Sequence, residues 1–237
     1  MLTIVGMPVL GMHIMEGFLP YPMALLWTII SLPFLFAGLR SIQRQVQDNP
    51  SIKLLLAMVG AFAFVLSALK MPSVTGSCSH PTGVALGAVL FGPMPMVVMG
   101  SLVLLFQALL LAHGGITTLG ANAFSMAIAG PLAAWVIFQL AQKSRLPLGP
   151  SVFLAAMFSD LFTYVVTSFQ LAVAFPDPAG GLAASLAKFL GIFAITQIPL
   201  AVVEGLLTVV VVNLLLKYSA CDLALLGIRP HPTTQTA

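Results

Sequence analysis

The stretch Gly83–Ala112, GVALGAVLFGPMPMVVMGSLVLLFQALLLA, decides how this chain is folded. It is apolar throughout, long for one membrane crossing and short for two full ones, since a spanning helix needs roughly 20 apolar residues. Gly92-Pro93 lies in its middle and breaks a helix there. The reading is a short helix, a sharp turn at Gly92-Pro93, and a full helix over about 94–111. Such a break is tolerated at membrane depth only where protein or a cavity shelters the freed backbone groups.

Outward from this stretch the chain is a series of apolar runs. Spans are predicted over about 22–39 and 54–69 before it. After it come spans over about 121–140, 152–175 and 192–216, with a partly amphipathic segment over 182–190 leading into the last. Arg40, Arg44 and Lys53, with Asp48, are predicted to fill the first loop. Positive charge tests the count, because cytoplasmic loops carry the excess of lysine and arginine. Arg40, Arg44 and Lys53 mark one such loop, Lys143 and Arg145 a second, and Lys217 and Arg229 the C-terminus. Seven crossings with the N-terminus outside satisfy all three marks. Six crossings, with 83–112 as one helix, put the second loop and the C-terminus outside.

Composition leads to the same class. Of 237 residues 59% are hydrophobic and only 6% charged, where a soluble domain carries about 25% charge. A chain so poor in charge cannot cover its surface against water, which excludes a soluble globular protein and a nucleic-acid binder. The fold class expected is an all-α polytopic bundle of about seven transmembrane helices in a cell membrane. One domain over 12–217 is flanked by an extension, 1–11, and a cytoplasmic tail, 218–237. Residues 1–11 are apolar but lack a basic n-region. They read as a weak signal segment, a misplaced start or a retained extension. Cys78 and Cys221 fall on opposite membrane sides in this layout, so no disulfide is expected.

Two polar clusters stand out against the apolar background. Met12-His-Ile-Met-Glu-Gly-Phe-Leu-Pro20 precedes the first span, and Ser77-Cys-Ser-His-Pro-Thr-Gly83 follows the second. Seven crossings put His13, Glu16, His80, His113 and Asn122 on the outer side. Neutral imidazole suits zinc, copper, nickel and cobalt. Either these histidines are ordinary interfacial residues, or His13 and His80 meet at one metal ion. Were Met12 the N-terminus, its amine, the His13 amide nitrogen and the near imidazole nitrogen of His13 would chelate an ion through fused five- and six-membered rings. That planar set suits nickel, copper or cobalt, and His80 is a candidate fourth donor. Glu16, His113 and Asn122 are candidates for a supporting shell that orients the ligands.

The segments Met12–Pro20, Leu66–Gly83, Leu105–Gly115, Thr117–Asn122 and Ala174–Pro178 resemble those of the CbiM/NikM family, the substrate-capture components of cobalt and nickel energy-coupling-factor transporters. The resemblance covers Met12 to about Lys217. It implies that Met12, through its amine, together with His13 and His80, binds the transported Co2+ or Ni2+, with no permanently bound cofactor. It also implies partners: a small helper subunit, a transmembrane coupling subunit and cytoplasmic ATPases. Ser77-Cys-Ser-His80 and Phe-Pro-Asp-Pro178 look most like the cobalt branch that feeds cobalamin synthesis. The residues themselves leave cobalt and nickel open.

Asp160 and Glu204 lie inside predicted spans. A charge at a helix centre costs about 2.5–3.5 kcal/mol on insertion scales, so each is expected to face the bundle with a partner, as a structural hydrogen bond or as a relay or release site. Gln107, Gln170 and Gln197 read as inter-helix hydrogen bonders. The twelve methionines fall mostly in apolar helices, where they are packing residues rather than a copper relay. The sequence has no GxxxxGK[ST], HExxH or GxSxG, so energy must come from partner subunits and enzyme classes built on those motifs are set aside. A capture component for an organic vitamin would want aromatics around its cavity. Two tryptophans and three tyrosines, none clustered with the histidines, argue against it.

Overall fold

The computed structural model describes residues 13–69, 71–72 and 78–226. They form helices α1 (Tyr21–Asp48), α2 (Ile52–Ala68), α3 (Val84–Phe91), α4 (Pro93–Leu111), α5 (Leu119–Lys143), α6 (Leu148–Ala174), α7 (Gly181–Tyr218) and α8 (Ala220–Leu225). One two-stranded antiparallel ribbon pairs β1 (Met71–Pro72) with β2 (Cys78–Ser79). Five of the helices are long and apolar enough to span a bilayer, and α2 is a sixth, shorter apolar helix. With α3 they make seven passes, and the chain is a multi-pass membrane protein.

These helices are amphipathic in the sense a bilayer demands. On α6, Phe158, Phe162, Val165 and Phe169 recur every three or four residues and are exposed, forming a lipid-facing stripe. The opposite face of α6 buries Ser159, Asp160, Thr163, Thr167 and Gln170. On α1 the exposed stripe is Leu25, Ile29, Leu32, Phe36 and Leu39. Polar groups therefore face inward, where other helices satisfy them, and α6 packs along α7 as the most extensive pair.

Helix ends depart from the sequence reading. Arg40, Arg44 and Asp48 lie on α1, which runs on to Asp48. Charge does not stop a helix that has left the hydrocarbon; the chain turns only at Asn49-Pro50, because proline disfavours helix in the residue before it. Residues 182–190 are no separate segment but the first turns of α7, a helix of 38 residues that accommodates Pro199. Within α5 the residues Ala123–Ala129 form a π-helix, which no periodicity announced.

The break falls at Gly92, whose φ of 84° is open to glycine and strained for other residues, and Pro93 starts α4. The carbonyl of Phe91, freed by the break, accepts a 3.0 Å hydrogen bond from the Gln45 side chain of α1. All eight residues of α3 are buried. At 1.5 Å per residue α3 is only about 12 Å long. The missing length comes from the loop before it. Thr82 and Gly83 hydrogen-bond to Glu204, which lies about 35 Å along α7 from its start and about 21 Å from its end. The loop thus descends into the bundle, and 83–112 makes two passes with too few residues for two full helices.

Candidate metal centre

His13 heads a short segment laid over the bundle. Ile14 donates its N–H to Asn122 Oδ1 at 2.8 Å, and Asn122 Nδ2 donates back to the Ile14 carbonyl at 2.9 Å. Thr118 Oγ1 donates to the same carbonyl at 2.7 Å. The Ile14 and Leu19 side chains are buried in a core with Trp27, Ala121, Tyr164 and Phe193. The Ile14 backbone is thereby held at three points, and the imidazole beside it has little freedom.

His80 is fully buried, on the descending loop. Its Nδ1 lies 2.9 Å from the Pro81 carbonyl, which can only accept, so Nδ1 carries the proton and Nε2 presents a lone pair. Ser79 Oγ bonds Thr196 Oγ1 at 2.7 Å, and Gln197 Nε2 lies 3.4 Å from the His80 carbonyl, tying the loop to α7. Glu204 accepts from Thr82 N at 2.5 Å, Thr82 Oγ1 at 2.9 Å and Gly83 N at 2.9 Å. Gly83 has φ of 69°, and a Cβ there would lie 2.8 Å from the Ala63 backbone, so only glycine fits. His113 follows α4 and donates its backbone N–H to the Gln107 carbonyl at 3.2 Å.

The three imidazoles converge. His80 Nε2 lies 2.6 Å from His13 Nδ1, and His113 Nε2 lies 2.9 Å from the same atom. The His13 and His80 rings stack with centroids 4.5 Å apart, and His113 meets both edge-on. Each imidazole is buried, 3%, 0% and 6% exposed for His13, His80 and His113. One ligating nitrogen from each lies within 4.8 Å of the others.

Proton counting shows what this arrangement can hold. His80 Nε2 can only accept while that ring is neutral. His13 Nδ1 faces two nitrogens and can carry at most one proton. With neutral rings, only one of the two close contacts can be a conventional two-centre hydrogen bond. A cation placed among the nitrogens accepts a lone pair from each. Imidazole nitrogens about 2.0–2.1 Å from an ion lie about 2.9 Å apart across a right angle and about 3.3 Å apart across a tetrahedral one. The three imidazoles are gathered closely enough for one divalent ion to draw on all of them, and imidazole suits cobalt, nickel, copper and zinc.

Of the residues singled out in the sequence, His13 and His80 come together, and Asn122 holds the segment that carries His13. Met12 and its amine lie outside the described residues. His113, expected only in support, stands level with the other two histidines. Its signal was its place on the same side of the bundle. Glu16 is exposed and is not one of the three residues whose ligating atoms converge. Its Oε2 accepts the Thr117 N–H at 3.2 Å, and its own N–H donates to the Gly114 carbonyl at 3.2 Å, so it staples the His13 segment to the His113 loop. Hydrogen bonding to the Thr117 side chain holds its carboxyl below the usual glutamate value, helped by the backbone N–H groups of Thr117 and Ile116.

Known proteins share both sequence and fold with this chain. The family described as "Cobalt uptake substrate-specific transmembrane region" matches residues 13–220. A cobalt transport protein CbiM of Nostoc sp. is 64% identical over 221 residues, covering 93% of this chain and 85% of that protein. One from Moorella thermoacetica is 59% identical over 226 residues, 95% and 87% of the two chains. A crystal structure of a transition metal transporter superposes with a TM-score of 0.76 at 25% identity, covering 88% of this chain and 94% of the other. A truncated form gives 0.74 over 87% and 99%. With a match running from the first of the converging histidines to the end of the last long helix, this chain belongs to the CbiM family of cobalt uptake substrate-specific transmembrane proteins.

Proposed function

We propose that this protein is the membrane capture component of an energised cobalt importer, and that His13, His80 and His113 bind the incoming divalent ion. The observation that carries the site is His13 Nδ1, faced at 2.6 Å by His80 Nε2 and at 2.9 Å by His113 Nε2. The same atom closes the six-membered ring of an amine–amide–imidazole chelate if processing exposes Met12. The family and its curated cobalt-transporting relatives support cobalt as cargo.

The ion enters from the outer face, where the His13 segment and the 113–118 loop close over it. Arg40, Arg44, Lys53, Lys143, Arg145 and Lys217, at the opposite end, support a cytoplasmic C-terminus. ATP is hydrolysed by partner ATPase subunits acting through a transmembrane coupling subunit, since this chain carries no nucleotide-binding motif. A small helper subunit completes the assembly. Nickel is the second reading, favoured by imidazole donors that suit it as well as cobalt and by the general affinity order that puts nickel above cobalt.

Uptake of labelled cobalt and nickel tests both, in cells carrying this chain with its partner subunits. Cobalt uptake that is lost on His13→Ala and on His80→Ala supports the proposal. Nickel uptake with no cobalt uptake selects the second reading, and uptake indifferent to both substitutions refutes the site.

A further inference from the structure

Below the histidines the bundle buries two carboxylates, Asp160 on α6 and Glu204 on α7, each 0% exposed. Both reach the His80 loop, Glu204 through Thr82 and Gly83, and Asp160 through the Gln197 amide that also lies 3.4 Å from the His80 carbonyl. Every described lysine and arginine is exposed, so no basic side chain among them neutralises the pair inside the bundle. The three hydrogen bonds from Thr82 and Gly83 account for Glu204 as an anchor of the His80 loop. They do not account for Asp160. Its Oδ2 accepts from Gln197 Nε2 at 2.6 Å, while its Oδ1 has no hydrogen-bond partner among the described residues. Gln197 Oε1, on the amide that bridges Asp160 and the His80 carbonyl, also has none. Two buried oxygens left without donors are costly, and a lone structural acceptor needs no carboxylate.

We propose that Asp160, Gln197 and Glu204 form a second, oxygen-lined cation site that takes the divalent cargo as it leaves the histidines. This rests on the capture reading for the origin of the ion, though not for the existence of the site. The two carboxylates balance the charge of one divalent cation. Asp160 Oδ1, Gln197 Oε1 and a remaining lone pair of Glu204 supply oxygen donors. Glu204 lies about 10 Å further along α7 than Gln197, toward the end of the bundle that carries Arg40, Lys143 and Lys217. The site therefore stands between the histidines and the face where cargo must exit. Imidazole suits cobalt and nickel, whereas carboxylate and carbonyl oxygens suit manganese and magnesium. An oxygen site accordingly holds cobalt more weakly than the histidines do, as release requires.

Manganese is the probe, because it favours oxygen donors. The purified full chain carrying His13→Ala and His80→Ala is titrated with Mn2+, and loss of the free-ion electron paramagnetic resonance signal counts bound manganese. One Mn2+ per chain is expected, displaced by Co2+. Adding Asp160→Asn, which keeps an acceptor for Gln197 Nε2, should weaken Mn2+ binding at least tenfold while the size-exclusion profile stays that of a monodisperse protein. No Mn2+ bound by the double variant overturns the second site, as does an unchanged affinity after Asp160→Asn in a monodisperse sample. A parent chain that binds Mn2+ but no Co2+ at nitrogen donors would instead overturn the capture reading and leave this site standing.

Discussion

Asn122→Ala removes no residue that faces the three imidazole nitrogens, yet it should cripple metal binding. The Asn122 side chain makes two hydrogen bonds to the Ile14 backbone, and the residue is 2% exposed. Truncation keeps the Thr118 bond to the Ile14 carbonyl but leaves the buried Ile14 N–H without its acceptor. A lost buried hydrogen bond is worth about 1 kcal/mol, and an orphaned buried donor costs about 1–3 kcal/mol. The bound arrangement of the His13 segment should therefore weaken by about 2–4 kcal/mol, which is about 30- to 700-fold in Kd at 1.4 kcal/mol per tenfold. Isothermal titration of the purified protein with Co2+ measures it. The tight site should keep a stoichiometry of one while its affinity falls. A variant within threefold of the parent would refute the claim that Asn122 positions His13.

Other expectations follow from the same geometry. His113→Ala should weaken Co2+ binding at least tenfold and shift the d–d absorption bands, because a nitrogen 2.9 Å from His13 Nδ1 is lost; unchanged bands would place His113 outside the ligand set. Gly83→Ala should lower thermal stability by about 1–3 kcal/mol, since a Cβ cannot be placed beside Ala63 at a φ of 69° without strain; a melting temperature equal to the parent's would show that the loop yields. Metal release on acidification should follow protonation of the imidazole donors, and pH-dependent Co2+ binding reads its midpoint. Glu16 should not contribute there. Its depressed folded-state pKa makes its staple stabilising above the ordinary glutamate value and lost only as pH falls through the lower folded value. Glu16→Gln should therefore leave the release midpoint in place, and a shift of half a unit or more would assign Glu16 to the site.

Much of the fold was legible because a bilayer imposes a simple rule on composition. Apolar runs of the right length, a glycine–proline break and the placement of lysine and arginine were enough to order seven passes. The ends of α1 and α7 were not legible, because helices continue past the hydrocarbon for as long as nothing breaks them. The π-helix at Ala123–Ala129 carries no periodic mark, and the depth of the His80 loop depends on Glu204, more than a hundred residues away. In the site, the nearness of His13 to His80 was readable from two polar clusters at like boundaries. His113 was undervalued because it sits in a glycine-rich loop with no second polar anchor beside it, and its place is set by packing between α4 and the His13 segment.

The central claim is that one divalent ion sits among nitrogens gathered around His13 Nδ1. X-ray absorption of the Co2+-loaded protein, set against equilibrium dialysis for stoichiometry, measures it most directly. With Co2+ limited to one equivalent per chain, the prediction is cobalt at nitrogen donors, with the outer-shell scattering of imidazole lost on His80→Ala. A shell dominated by oxygen or sulfur, or cobalt bound equally well without His80, would contradict it.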